Sequence, residues 1–416
     1  MNGRTRGKAA AAKGATTSRT RPRRIAQPDG AASTRVTQSA PVSHPDEGAP
    51  PERPASLPGQ IVLVLQGGGA LGAYQLGVYQ AMHEAGIDPQ WVVGTSIGAI
   101  NGAIIAGNAP EARIDRLHEF WDRMQIDGPE LFGKMFPALT STFTNLGTFS
   151  RGITGFFELN PAALLGPHVP LGVDKASYYS TAPLRKTLLG LIDFDVLASK
   201  ATRLTVGAVN ARTGAMRYFD TRREVLTVDH VMASGALPPA FPAIRIDGEP
   251  YWDGGIYSNT PTEVVLDDNP RRDSVIFAVH LWNPEGGEPS SLWDVAGRQK
   301  DIQYASRATS HILRQQQIHK LRHIIRELTQ RLPESARAKA DVQELASWGC
   351  GTTMHVVRLM APRLMNEDHT KDIDFTRRGI DARWNAGYNT MQQAIAAAPW
   401  RGAVDPRDGV LIHEVA

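Results

Sequence analysis

The chain has little cysteine and no long apolar run. Its 416 residues include one cysteine, Cys350, so no internal disulfide can form. No Cys/His group has the spacing of a structural zinc site, and no acidic loop of the EF-hand kind occurs, so neither metal nor other cofactor is expected. Such cysteine usage suits a reducing compartment, most simply the cytoplasm. No stretch of 18 apolar residues offers a membrane span. The first 24 residues carry eight Lys and Arg, from Arg4 to Arg24, with no acidic partner. No apolar segment follows them, so they do not read as a secretory signal. The formal net charge is only +3, which argues against nucleic acid as a specific partner for the body of the protein. With 42% hydrophobic and 21% charged residues, the rest has the balance of a globular protein.

What is present divides the chain. Residues 1–58, rich in Ala, Pro, Ser, Thr and Arg without periodicity, read as a disordered basic tail. Order begins at Ile61-Val62-Leu63-Val64-Leu65, an apolar run suited to a parallel strand buried on both faces. A glycine turn follows at Gly67–Gly72, then a helix over Ala73–Ala85 closed by Gly86. The plan repeats with Trp91-Val92-Val93, a tight turn at Ser96 and a helix of small residues over 97–106. Two β-turn-α units in succession predict an α/β fold with a doubly wound, mostly parallel sheet. Residues 59–285 are read as its domain. Within it, 127–180 is apolar but weakly periodic, with Phe149, Phe156, Phe157 and Leu164-Leu165, and suits a cap over an apolar substrate.

Residues 286–416 are expected to form a mainly helical extension packed on that domain. A long helix over 296–332 has Ile318, Leu321, Ile325, Leu328 and Leu332 on one face, with a strand near Thr353–Leu359 and a last helix near Arg377–Ala397 to follow. The basic tail and this helix also suit peripheral contact with a membrane or lipid surface. The oligomeric state has no sequence signal.

Three short elements carry chemistry. Gly67, Gly69 and Gly72 match G-x-G-x-x-G between a strand and a helix, where bare backbone N–H groups face an anion. That spacing also fits a dinucleotide site, for which Asp88 is the nearby acid, although it precedes the second strand instead of following it. Gly94-Thr95-Ser96-Ile97-Gly98 puts a serine on a sharp strand-to-helix turn, where only small neighbours fit and the helix dipole faces the serine. Asp253-Gly254-Gly255 is by itself only a good turn. His230 and His280 are the histidines a Ser-His-Asp arrangement would use.

Four stretches taken together resemble the patatin-like phospholipase family in its bacterial branch: LQGGGALGAYQLGVYQAM at 65–82, VVGTSIGAINGAIIAGN at 92–108, ASGALPPAFP at 233–242 and DGGIYSNTP at 253–261. They occur in the family's order. The resemblance implies a serine lipid acyl hydrolase with Ser96 as nucleophile and Asp253 as base, working through an acyl-enzyme. It places the oxyanion hole at Gly67, Gly68, Gly69 and Gly72, the elbow glycines at Gly94 and Gly98, and the turn after the base at Gly254 and Gly255. Leu71 stands where many members carry Arg or Lys, which removes a positive charge and leaves the headgroup open. An acyl lipid is the implied partner; a non-catalytic lipid- or nucleotide-binding module is the alternative.

Overall fold

The apolar run at 61–65 becomes the middle of a sheet because both faces of it can be covered. A computed structural model describes residues 57–126, 152–365, 367–405 and 407–415, leaving aside the side chains of 306–308. The basic tail up to residue 56, and residues 127–151 of the expected cap with Phe149, lie outside the described residues.

The strands are β1 (Gln60–Leu65), β2 (Trp91–Gly94), β3 (Glu158–Leu159), β4 (Tyr179–Ser180), β5 (Arg203–Asn210), β6 (Met216–Asp220), β7 (Ile244–Ile246), β8 (Glu249–Asp253), β9 (Ser274–His280), β10 (Met354–Met360) and β11 (Val410–Glu414). The helices that place the site are α1 (Ala73–Glu84), α2 (Ile97–Ala106), α3 (Arg113–Met124), α4 (Leu292–Arg331) and α5 (Arg377–Ala397). Among the described residues nine strands share one sheet, in the order β11-β10-β9-β1-β2-β5-β8-β7, with β6 also on β5. From β11 to β5 every pairing is parallel; β6, β7 and β8 add antiparallel pairings at the other side. Along β1, Leu63 and Leu65 enter one apolar cluster while Val62 and Val64 enter the other, as alternation on a doubly covered strand requires.

Residues from about 290 onward do more than pack on the outside. Their helical content is as expected, but β10 and β11 also extend the same parallel sheet beyond β9, and the described residues form one compact unit. α5 crosses α1 at backbone contact: a Cβ on Gly77 would lie 1.9 Å from the Trp384 carbonyl oxygen, and one on Gly387 1.9 Å from that of Tyr74. Glycine on both helices is what lets them approach so closely. α4 begins at Leu292, where Ser291 and Asp294 form a capping box. The face it buries is not the leucine stripe. Leu321 and Leu328 are exposed, whereas Ile312 and His319 are buried, His319 Nε2 meeting the Leu266 carbonyl at 2.9 Å. No helix among the described residues is long and apolar enough to cross a membrane.

The topology sets two chain ends side by side. β2 stops at Gly94, opposite Val206 of β5, and the chain turns at Ser96. β6 occupies one edge of β5 along Thr205–Val209, so β8 pairs on the edge that β2 has vacated, with Asp253 opposite Ala208. The end of β8 therefore arrives just beyond the end of β2.

Candidate active site

Ser96 is held in a conformation that serine avoids, with φ 56° and ψ −125°. Such backbone costs on the order of 1–3 kcal/mol and persists only when its surroundings over-determine it. Here they do. Ser96 N donates to Ser234 Oγ at 3.0 Å, and Ser234 Oγ donates to the Gly207 carbonyl at 2.7 Å. Gly94 and Gly98 flank the turn because nothing larger fits. A Cβ on Gly94 would stand 2.3 Å from the Gly98 carbonyl oxygen, and one on Gly98 2.2 Å from that of Leu65. The turn thus presents Ser96 at the N-terminus of α2, where the helix dipole favours negative charge.

Asp253 ends β8 and is 2% exposed. Its Oδ1 accepts from Gly255 N at 2.7 Å, and its carboxyl lies near enough to the Ser96 side chain for that hydroxyl to favour its ionised form. Burial pushes this carboxyl up to about 6, against the lowering effect of the Ser96 hydroxyl and the Gly255 N–H. Gly254 and Gly255 keep the turn tight: a Cβ on Gly254 would meet the Gly207 carbonyl oxygen at 2.4 Å, and one on Gly255 the Asn259 Oδ1 at 2.9 Å.

The glycine turn requires two corrections to the expected oxyanion hole. Gly67 borders the cavity, but its N–H donates to the Asn259 carbonyl at 3.2 Å and is not free. The Gly67 carbonyl in turn accepts from Trp282 Nε1 at 2.8 Å and Asn259 Nδ2 at 3.1 Å. Gly72 does not border the cavity; a Cβ there would meet Ile97 Cγ1 at 2.5 Å, so its small size serves helix packing. Gly68 and Gly69 do border it, and their N–H groups are the turn's candidate donors. Gly69 has φ +55°, a left-handed conformation that glycine adopts without strain.

Ser96 and Asp253 open onto a cavity of about 180 Å³ whose walls are apolar. Ile97 and Ile100 come from α2, and Phe156, Phe157 and Tyr179 from the described part of the expected cap. Leu237 and Phe241 come from the proline-rich stretch. Leu164 and Leu165 of that same insertion face outward, at 90% and 64% exposure. The remaining wall, Tyr304, Ile373 and Phe375, belongs to the C-terminal region.

Neither histidine reaches this site. His230 Nδ1 accepts from Thr227 N at 3.0 Å, closing the cap of its own helix. His280 is 1% exposed at the end of β9, held down to about 3 by burial and by Arg358. Asp88, the acid a dinucleotide would need, pairs with Arg113 at 2.6 Å and lies away from the cavity.

Several contributors escape a reading of the sequence. Gln66 Nε2 donates to Thr260 Oγ1 at 2.6 Å and to the Tyr304 carbonyl at 3.3 Å, tying the glycine turn to β8's exit and to α4. Ser234 and Asn259 lie inside conspicuous motifs, so proximity to glycine and proline was a signal for them. Tyr304, Ile373 and Phe375 carry none, being single apolar residues in polar surroundings.

The family model described as patatin-like phospholipase matches residues 63–266, and a second, described as patatin phospholipase, matches 302–407. Between them they take in most of the chain, which belongs to the patatin-like phospholipase family. Human patatin-like phospholipase domain-containing protein 6 is 36% identical over 98 residues, 24% of this chain. Lysophospholipase nte1 of Aspergillus terreus is 41% identical over 94 residues, 22% of this chain. The chain matches only 7% and 6% of those two proteins' lengths. Among solved structures, VipD from Legionella pneumophila aligns over 81% of this chain and 67% of its own, at 16% identity and a TM-score of 0.36.

Proposed function

We propose that the chain is a serine hydrolase of lipid acyl esters, with Ser96 as nucleophile and Asp253 as general base. One observation carries this reading: a carboxyl 2% exposed lies beside a strained serine at the edge of an apolar cavity, near enough for the serine hydroxyl to favour its ionised form. Asp253 accepts the Ser96 hydroxyl proton as Oγ attacks the ester carbonyl, and the new oxyanion receives the N–H groups of Gly68 and Gly69. As the C–O bond breaks, Asp253 returns that proton to the leaving alcohol, and Ser96 holds the acyl group. Water then attacks the acyl-enzyme, giving its proton to Asp253; the carboxylic acid departs and Ser96 regains its proton from Asp253. A base raised to about 6 is still mostly ionised at neutral pH, yet more basic than an ordinary carboxylate.

The cavity is smaller than the roughly 300–1,000 Å³ that encloses a drug-sized ligand, so it suits one acyl chain with the rest of the lipid outside. Among the described residues no cationic side chain borders it, which leaves the headgroup class unspecified. Mass spectrometry of products from a total lipid extract, with Ser96→Ala as control, tests the reading. Release of fatty acid by wild type alone supports it. Failure of a fluorophosphonate to label Ser96, under conditions that label a known serine esterase, would count for the binding-module alternative.

A further inference from the structure

The cavity is completed from a distance in sequence. A single 3-10 turn, Lys371–Ile373, lies across the glycine turn: the Asp372 carbonyl oxygen is 2.3 Å from where a Gly69 Cβ would stand. Ile373, at the end of this turn, and Phe375, just beyond it, border the cavity. Phe375 is 4% exposed, with its ring 6.3 Å from those of Trp121 and Phe156. Because Trp121 is itself fully buried, Phe375 forms part of a closed wall and not of the mouth.

The outer side of the turn is braced by charge. Lys371 Nζ lies 2.6 Å from Asp301 Oδ1, with both residues buried, and Lys300 Nζ lies 2.7 Å from Asp372 Oδ1. Arg383 of α5 donates to the Asp374 carbonyl at 2.9 Å. A charged pair out of water keeps its geometry because separating it would leave two uncompensated charges. The brace is therefore stiff and the wall has a set position.

We propose that residues 371–375 are the acyl-chain selector: Phe375, with Ile373 beside it, forms the wall that limits the chain length accepted, and the Lys371–Asp301 pair holds that wall in place. This rests on the hydrolase reading. An apolar pocket discriminates by about 10–200-fold per methylene, so shortening a wall residue must move the length profile. Nothing in residues 371–375 takes part in bond making, so the selector acts on substrate choice and not on the chemical step.

The test uses the full chain and straight-chain p-nitrophenyl esters of increasing length. For Phe375→Ala the ratio of kcat/KM for the longest over the shortest ester rises by about tenfold or more, and Phe375→Leu and Ile373→Ala shift it the same way by less. A ratio within one preparation is insensitive to the fraction folded, and Phe375→Leu preserves most of the packing. An unchanged ratio in all three variants, with Ser96-dependent turnover of the short ester retained, overturns the selector and leaves the hydrolase reading standing. If no ester is cleaved and an alkyl fluorophosphonate leaves Ser96 unlabelled in wild type, the hydrolase reading fails, and the selector with it.

Discussion

The two regions that match family models, 63–266 and 302–407, contribute to one cavity in opposite ways. The first places its groups through backbone squeezed against backbone: Gly94, Gly98 and Gly254 all sit where a Cβ would come within 2.4 Å of a carbonyl oxygen. The second shapes it mainly through side chains, those of Tyr304, Ile373 and Phe375, held by packing and by buried charge. Positions of the first kind admit one residue type. Positions of the second kind admit several, at the cost of a differently shaped cavity. The difference separates what the site can do from what it accepts.

The sharpest break of that contrast is substitution within the first region. Ser96→Ala and Asp253→Asn should each lower kcat by about 10⁴-fold or more in a steady-state ester assay, since removing one member of a catalytic unit costs most of what the unit contributes. Near-normal turnover by Asp253→Asn would show that another base acts. Next comes the glycine turn. Gly69→Ala should lose about 10²–10³-fold by displacing an oxyanion donor, and its melting temperature should drop as well, because the new Cβ collides with Asp372. A loss of turnover with no loss of stability would mean that the two regions do not touch there in solution.

A pH profile sharpens the contrast, because the proposed base, Asp253, lies in the first region. Asp253 must be ionised to accept a proton, so kcat/KM should fall by about tenfold per pH unit below about 6 and stay level above it. A profile flat down to pH 4 would remove Asp253 from the role. Ser234→Ala, which loosens the elbow without touching the reacting atoms, should cost about tenfold, the worth of one buried hydrogen bond.

The smallest effect concerns stability, and its sign is definite. The folded-state carboxyl of Asp253 lies above its unfolded value, so its contribution to stability is present at low pH and lost as pH rises through about 6. Asp253→Asn removes that loss. It should melt higher than wild type at pH 8, with the gap closing toward pH 4, in calorimetry at both pH values.

Much of the site could be read from short strings. An apolar strand gives way to glycines at 61–72 and to a serine between glycines at 91–98, a pattern that suits a tight strand-to-helix turn because steric exclusion acts between neighbours a few residues apart. Asp253 was recognisable as a candidate only beside the other motifs. The pairing of β8 on the edge of β5 left free by β2 is what brings it to Ser96, and sheet topology is a long-range property. The candidate oxyanion donors narrowed for a similar reason. Gly67 and Gly72 look like Gly68 and Gly69 in a motif, and only their contacts with Asn259 and Ile97 tell them apart.

The C-terminal region was legible as helices and a strand, since periodicity is local. That β10 and β11 would join the sheet was not, nor that residues 371–375 would lie across the glycine turn. The sequence alone determined the strained serine turn and the family of chemistry it implies, because those depend on which residues fit beside one another along the chain. Tertiary structure decided which carboxyl reaches Ser96, which residues of the glycine turn border the cavity and which side chains bound it, because each of these depends on segments that meet only when the sheet is assembled.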